Sequence, residues 1–276
     1  MGTLSDFATT ELVDHIFKAA YAPVSTLYLC LCTAAPTAAS TGTSIVETDY
    51  TNYVRKSFTA SSFGAAESRA ITQILDIMFA QAGGDSTDDI SHYAICDAAT
   101  LGNMLAFGSF TTPWNVVAGN TPKVASGEIT LTIGASSGAG FTDLAVHKML
   151  NLMFRNVAWS SPNATIHWGL ATAVIEDADT MADITECAAA NAYARAPVSA
   201  ASMDAASAGV TTNNTTVTMA TPTGSWGLVT SMFVVNDLSG TAGDLLAFDN
   251  VNIVDQTPTT DDVVQFLAGD FDINLD

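Results

Sequence analysis

Two runs of sequence about half a chain apart share one pattern, and this repetition constrains the fold of the 276-residue chain more than any other feature. Residues 124–133 and 266–276 each carry a hydrophobic residue, small residues ending in glycine, an acid, and then alternating apolar and polar residues. A period of two is typical of a half-buried strand. The alternation predicts a buried face made of Ile129, Leu131 and Ile133 in the first run and of Phe271, Ile273 and Leu275 in the second.

Other motifs recur in the same order, each about 140 residues after its first occurrence. The pairs are Phe17-Lys18 with Phe154-Arg155, residues 26–31 with 165–170, Tyr53-Val-Arg55 with Tyr193-Ala-Arg195, residues 92–97 with 232–237, and residues 104–107 with 245–248. Ordered repeats at a nearly constant spacing indicate an internal duplication. We therefore predict two domains, residues 1–137 and 138–276, each long enough to bury a core.

Each repeat is predicted to begin with an amphipathic helix, at residues 3–20 and 141–157. Thr3 or Ser5 can cap the first helix. Short strands separated by turn residues follow, including residues 27–32, a strand within 50–59, and a hairpin formed by 90–96 and 104–110. Residues 69–80 fit a helix or a strand. The predicted class is mainly β: two tandem β-sandwich (jelly-roll-like) domains, each preceded by an N-terminal amphipathic helix.

Composition limits the possible functions. There are 28 acids and only 8 bases, for a net charge of −20. Such a surface repels phosphate backbones, so direct nucleic-acid binding is not expected. No apolar run approaches the roughly 20 residues of a membrane span, and charges interrupt the first apolar residues, so neither a membrane partner nor a signal peptide is expected.

The cysteines and histidines do not form a recognisable site. Cys30 and Cys32 could be half of a metal site, but no second pair lies nearby at ligand spacing. We predict buried thiols for all four cysteines, Cys30, Cys32, Cys96 and Cys187. The four histidines, His15, His92, His147 and His167, have no partner at catalytic spacing. The prediction is no enzyme, no catalytic, cofactor-binding or metal-binding residues, and no cofactor.

Several acids and arginines lie at repeated or clustered positions. Asp97 and Asp237 are interpreted as equivalent turn-capping residues. The clusters Asp85, Asp88, Asp89 and Asp261, Asp262 could bind Ca²⁺, although solvated acidic turns explain them better. Arg55 and Arg195 each follow a tyrosine, which favours an ion pair inside each repeat over an interface anchor. Trp114, Trp159, Trp168 and Trp226 are predicted to pack in cores or where the repeats meet.

The order of motifs resembles a family of small virion structural proteins of tailed bacteriophages and related archaeal viruses. The second repeat carries Gly-Ser-Trp-Gly at residues 224–227, Gly-Asp-Leu-Leu-Ala-Phe at 243–248 and Phe-Leu-Ala-Gly-Asp at 266–270. The first repeat keeps residues 95–100 and 103–108, but Asp88 and Asp89 stand where Ser-Trp-Gly is expected.

The resemblance implies a non-enzymatic virion protein, assembled in the host cytoplasm. Its expected role is capsid decoration, as a cement protein of a tailed virus. The alternatives are a tail, neck or receptor-binding component, or a carbohydrate-binding protein. The implied partners are the major capsid protein or other virion proteins, together with further copies of the chain as a homo-oligomer in the particle.

Overall fold

The computed structural model describes residues 1–164, 166–253 and 256–275. It is mainly β, as predicted, and the described residues contain two α-helices, α1 (Asp6–Phe17) and α2 (Asp143–Arg155). Four single-turn 3-10 helices lie at Ala60–Ser62, Pro162–Ala164, Ala189–Asn191 and Ala200–Ser202. No helix in the described ranges is long and apolar enough to span a membrane. The predictions for Thr165, in a strand, and for Asp276, on the outer face of the last strand, fall outside the described residues.

The chain divides into two compact units, and each unit contains segments of both repeats. Unit 1 comprises Met1–Thr9, Ala22–Ile133 and Met149–Trp159. Unit 2 comprises Thr10–Tyr21, Gly134–Lys148 and Ser160–Asp276. Helix α1 therefore begins in unit 1 and ends in unit 2, whereas α2 begins in unit 2 and ends in unit 1.

Unit 1 is built around a seven-stranded sheet with the strand order β3-β2-β6-β7-β1-β9-β4, and β5 and β8 pair separately. All the named pairs are antiparallel except β1 with β9. The strands are β1 (Gly2–Leu4), β2 (Thr26–Cys32), β3 (Lys56–Thr59), β4 (Ala70–Thr72), β5 (Ile77–Met78), β6 (Ile90–Cys96), β7 (Met104–Trp114), β8 (Lys123–Val124) and β9 (Thr130–Thr132). The ambiguous stretch 69–80 thus forms two short strands.

Unit 2 repeats this order with a five-stranded sheet, β10-β16-β15-β11-β12, and two separate ladders, β13 with β18 and β14 with β17. The strands are β10 (Ala139–Phe141), β11 (His167–Ala171), β12 (Ala196–Pro197), β13 (Val210–Thr212), β14 (Val217–Thr218), β15 (Ser231–Val235), β16 (Leu245–Asp249), β17 (Gln265–Phe266) and β18 (Asp272–Asn274). Each of these strands has its counterpart nine strands earlier in the chain, so the duplication is visible in the order of the strands.

The two closing strands have the buried faces that the alternation predicts. Ile129, Leu131 and Ile133 are buried in unit 1, and Phe271, Ile273 and Leu275 are buried in unit 2. The intervening residues Asp270, Asp272 and Asn274 are exposed. The shared feature of the two runs is therefore the buried face.

Each repeat begins with a short strand and not with the predicted helix: β1 precedes α1, and β10 precedes α2. The helices are also shorter than predicted, since a side-chain cap fixes the residue at which each helix begins. Ser5 Oγ accepts the N–H of Ala8 at 3.2 Å, and Thr142 Oγ1 accepts the N–H of Ala145 at 3.3 Å. The same hydroxyls donate to main-chain carbonyls of β7 and β16, Met104 O and Leu245 O respectively. The cap thus ties the start of each helix to a strand of the same unit.

The C-terminal half of each helix packs in the unit of the other repeat. In unit 1, Phe154 of α2 contacts Phe63 with ring centroids 5.7 Å apart, and Asn151 Oδ1 accepts the N–H of Ala66. In unit 2, Phe17 of α1 contacts Phe271 with centroids 6.3 Å apart. Asp14 Oδ1 accepts the N–H of Ala206 at 2.7 Å, and Lys18 donates to carbonyls of Ala200 and Met203. The two arrangements are equivalent, so neither unit is complete without a helical segment from the other repeat.

The cores of the two units differ in the sizes of the residues at one equivalent cross-strand pair. In unit 1 Cys30 lies opposite Ala94, and in unit 2 Gly169 lies opposite Phe233. A Cβ atom on Gly169 would lie 2.1 Å from Phe233 Cζ, so only glycine fits there without movement. Unit 2 therefore has one large ring against a residue without a side chain, where unit 1 has two small side chains.

The pairing also corrects the predicted equivalence of Asp97 and Asp237. Strand β2 places Tyr28 opposite Cys96, and β11 places His167 opposite Val235, so Asn236 corresponds to Asp97. Asp97 accepts the N–H of Asn103 at 2.7 Å, and Asn236 Oδ1 accepts the N–H of Asp244 at 2.7 Å. The prediction was one residue out of register because strands buried on both faces do not mark their register by alternation.

Candidate functional site

Arg55 and Arg195 form the predicted ion pairs inside the repeats. Arg55 donates to Glu47 Oε1 through Nε at 2.9 Å and Nη2 at 2.7 Å, and Arg195 donates to Glu186 through Nε at 2.9 Å and Nη2 at 2.8 Å. In unit 2 two further guanidinium N–H groups donate to the carbonyls of Asp237 and Gly240. The two-pronged geometry explains why arginine stands at both positions.

A tyrosine completes each of these Arg–Glu–Tyr clusters. Tyr193 donates to Glu186 Oε1 at 2.8 Å and accepts the N–H of Leu170 at 2.8 Å. Tyr53 makes the matching bonds to Glu47 and Leu31. Burial, reinforced by the adjacent carboxylate, raises the pKa of Tyr193 far above its usual range. Each group is occupied by its neighbours, so the clusters hold loops to strands and leave no side chain available for chemistry.

In each predicted acidic turn one aspartate accepts hydrogen bonds from other residues of the chain. Asp85 accepts the N–H of Ala118, and Asp262 accepts both the N–H and the hydroxyl of Thr259. Among residues 1–164, 166–253 and 256–275, no group of three or more His, Cys, Asp or Glu side chains could hold a metal ion. The structure does not bring the acids of either turn together as a ligand set.

The four cysteines and two of the tryptophans lie in the hydrophobic cores. All four cysteines are buried with free thiols, as predicted, and Cys30 Sγ lies 3.6 Å from Cys96 Sγ. Burial raises the pKa of the Cys187 thiol to about 12, which makes it a poor nucleophile. Trp168 and Trp226 are fully buried in unit 2, and the indole N–H of Trp226 donates to Asn191 O at 2.8 Å.

The residue of unit 1 at the position of Trp226 is Ser86, and not Asp88 or Asp89 as predicted. The main-chain N–H of Ser86 donates to the carbonyl of Val116, as the main-chain N–H of Trp226 donates to the carbonyl of Pro258.

The site that the sequence did not predict is a cleft of about 520 Å³ in unit 2, the unit 2 cleft. Its base is apolar, made of Leu170, Val229 and Met232, with the half-buried ring of Phe266 beside them. Exposed amides and carboxylates form its rim: Asn252, Gln256, Gln265, Asp270 and Asp272. An apolar base with a few polar groups is the usual composition of a small-molecule site.

Two of the carboxylates that line this cleft are partly committed to the loops. Asp249 is buried, and its Oδ1 accepts the N–H groups of Val251 at 2.7 Å and Asn252 at 2.9 Å. Its Oδ2 accepts the Asn252 amide at 2.8 Å. Asp270 Oδ2 accepts the N–H of Leu267 at 2.6 Å. Asp249 and Asn252 therefore shape the wall of the cleft, and the amides of Gln256 and Gln265 on the rim are placed for contact with a ligand.

Unit 1 has two smaller clefts at the equivalent place. One, of about 230 Å³, is lined by Lys123, Val124 and Glu128 where unit 2 has Gln265, Phe266 and Asp270. The other, of about 310 Å³, is lined by Val116 and Pro122 where unit 2 has Pro258 and Val264, and Trp114 lines both. Three aromatic rings pack there at steep angles: those of Tyr93 and Phe110 are 5.4 Å apart, and those of Phe110 and Trp114 are 6.2 Å apart. Phe110 and Trp114 belong to β7, which extends to Trp114, whereas β16 ends at Asp249.

The strand pairings show which residues of unit 2 stand in the places of Trp114 and Tyr93. Ile90 pairs with Trp114 in unit 1, and Val229 makes the matching bridge to Gln256 in unit 2. Met232 likewise replaces Tyr93, because Tyr93 is the cross-strand partner of Leu31 and Met232 is the partner of the equivalent Leu170. Aligning the repeats by these pairings would have revealed the loss of Trp114, but the sequence alone did not fix that alignment.

Comparison with known proteins gives one family match, and it occurs twice. The family model described as "Podophage GP4 fiber I protein gp80" matches residues 3–132 and again residues 140–274. No curated protein sequence matches the chain. The two matched segments follow the two repeats, which supports the tandem duplication.

Proposed function

This chain belongs to the podophage GP4 fiber I protein gp80 family, and from that membership we propose that it is a non-enzymatic structural component of the tail fibres of a tailed phage. It is a phage virion structural protein with a tandem duplication. The observation that carries the proposal is the double match to a fibre family, which together covers nearly the whole chain. The earlier expectation of capsid decoration finds no support in this family, and the tail alternative is the closer one.

The architecture is compatible with an assembly role. Both Arg–Glu–Tyr clusters are closed by internal hydrogen bonds, and helical segments from each repeat complete both units. We propose that each repeat, residues 1–137 and 138–276, is a jelly-roll-like β-sandwich. The pair of strand groups in unit 2, the five-stranded sheet and the short ladders that carry the closing strand, supports this interpretation.

The partners in this proposal are other virion proteins, including further copies of the chain in the particle. Symmetric assemblies commonly use repeated surfaces, and a duplicated chain offers two similar ones. The strongly negative net charge of −20 favours contacts with protein over contacts with the packaged genome.

The location can be tested on purified virions. Heads and tails would be separated and their proteins identified by mass spectrometry, and gold-labelled antibodies against this chain would be imaged on intact particles. We expect the chain in the tail fraction and the label on fibres. Label confined to the capsid surface would overturn the fibre proposal in favour of decoration.

A further inference from the structure

We propose that the unit 2 cleft binds a neutral saccharide, a function beyond the structural role and argued from the cleft alone. The volume of about 520 Å³ lies within the range of about 300–1,000 Å³ that is usual for small-ligand sites. A pyranose ring presents hydroxyl groups around its edge and C–H groups on its faces. It therefore needs a surface with amides and carboxylates beside an apolar patch, which is the arrangement in this cleft.

The polar and apolar groups are separated in the way that this ligand requires. The half-buried ring of Phe266, beside the buried Leu170 and Met232, gives the C–H face of a sugar an apolar surface, and Trp168 supports Phe266 edge-on with ring centroids 5.4 Å apart. The amides of Gln256 and Gln265 lie on the rim and can both donate to and accept from hydroxyl groups. These side chains are exposed, so a ligand can reach them without unfolding of a strand.

The charges of the lining disfavour other ligand classes. Among its described residues there is no lysine, arginine or histidine, so an anion such as phosphate would meet only carboxylates and amides. A metal ion is also disfavoured, because the carboxylate of Asp249 already accepts three hydrogen bonds and one oxygen of Asp270 accepts another. Neutral hydroxyl groups suit this mixture of remaining acceptors and amide donors.

The comparison of the two units indicates that one continuous cleft is specific to unit 2, since Trp114 lies between two smaller clefts in unit 1. The fold tolerates an aromatic filling at this place, since Tyr93, Phe110 and Trp114 provide one in unit 1. Unit 2 has the same strand pairing with Met232 and Gln256 in place of two of these rings. The difference supplies matched substitutions for a test.

The experiment uses the full-length chain and defined sugars: glucose, galactose, mannose, N-acetylglucosamine, and the disaccharides maltose, cellobiose and lactose. Saturation-transfer NMR would identify which sugar binds, and calorimetry would measure its Kd. Gln256→Trp fills the cleft with the residue found in unit 1, and we expect it to weaken binding at least about tenfold. Trp114→Gln makes the reverse change in unit 1 and should leave the Kd within about twofold.

Asp272→Ala provides a second, less disruptive variant, since Asp272 is exposed on the rim. We expect it to weaken binding by about fivefold or more, with an unchanged melting temperature as the check on folding. The proposal is overturned if none of the sugars binds at about 10 mM, if Gln256→Trp binds as the unchanged chain does, or if CaCl₂ alone gives the saturable signal. A chain found on tail fibres that binds no sugar would overturn this inference and leave the fibre proposal intact.

Discussion

Arg195 holds the carboxylate of Glu186 with two parallel N–H groups, Nε at 2.9 Å from Oε1 and Nη2 at 2.8 Å from Oε2. The arginine side chain is 2% exposed and that of the glutamate 26%, so the pair is shielded from water on the arginine side. Arg55 and Glu47 form the corresponding pair in unit 1, where Nε and Nη2 both donate to Oε1 and the side chains are 6% and 21% exposed. The pair is therefore a duplicated structural element whose removal should be costly in either unit.

Replacing Arg195 with alanine should lower the free energy of unfolding by about 3 kcal/mol, because Glu186 would keep its charge without its main partner. Two main-chain carbonyls, those of Asp237 and Gly240, would also lose their donor. Urea denaturation followed by circular dichroism measures the change. The matched control is Lys123→Ala, which breaks an exposed pair with Asp76 (46% and 48% exposed) and should cost less than about 1 kcal/mol. Equal costs for both variants would contradict the structural role.

The exchange of large and small residues between the units predicts compensation. Gly169→Cys should destabilise by about 1–3 kcal/mol, because the new Cβ meets the ring of Phe233. Phe233→Ala should cost about 3–5 kcal/mol through the cavity that it leaves. The double variant reproduces the Cys30–Ala94 pair of unit 1 and should be more stable than the sum of the single costs by at least about 1 kcal/mol. Simple additivity, measured by a double-mutant cycle, would argue against this packing relationship.

The helical segments predict that the two halves of the chain hold together after cleavage. A protease site placed within residues 135–138 and cut under native conditions should leave residues before and after it in one complex on size exclusion. The reason is that each compact unit contains a helical segment from the other half. Phe17→Ala and Phe154→Ala each remove a ring from these segments and should each cost about 3–5 kcal/mol. Separation of the cut halves without denaturant would refute this prediction.

The buried tyrosines predict loss of stability at high pH. Burial raises the pKa of Tyr50 from 10.0 to about 12, and burial also raises those of Tyr53, Tyr93 and Tyr193. A raised pKa in the folded state means that the neutral phenol is favoured by folding. Stability is then fully present below about pH 10, the pKa of an unfolded tyrosine, and is lost as the pH rises from there toward the folded-state value.

Phenolate absorbance should therefore rise together with unfolding rather than before it. Tyr50→Phe tests the assignment, since the Tyr50 hydroxyl is buried and accepts or donates no hydrogen bond within the described residues. This variant should be at least as stable at neutral pH and should unfold at a higher pH. An early phenolate signal from four tyrosines in the folded chain would show that their burial has been misjudged.

The sequence predicted that Arg55 and Arg195 form ion pairs and that a polar residue caps each turn after the strand, but it did not identify the partner acids or the correct residue of the second turn. Arg55 and Arg195 were identified because bases are rare in this chain and both follow a tyrosine. Their acids, Glu47 and Glu186, come from loops eight and nine residues before them, with no pattern that marks them as partners. Asp237 was assigned the role of Asp97, but Asn236 has it, because a continuous apolar strand aligns as well in one register as in the next.

The sequence by itself determined the duplication, the mainly β class, the buried faces of the two closing strands and the burial of the thiols, because these depend on local composition and on a period of two. Only the tertiary structure decided which repeat each helix completes and where a cleft remains. Both depend on contacts between residues far apart in the chain: Phe17 with Phe271, and Gln256 in the place of Trp114 beside strand β15. Such contacts follow from packing and strand register, which a linear pattern does not encode.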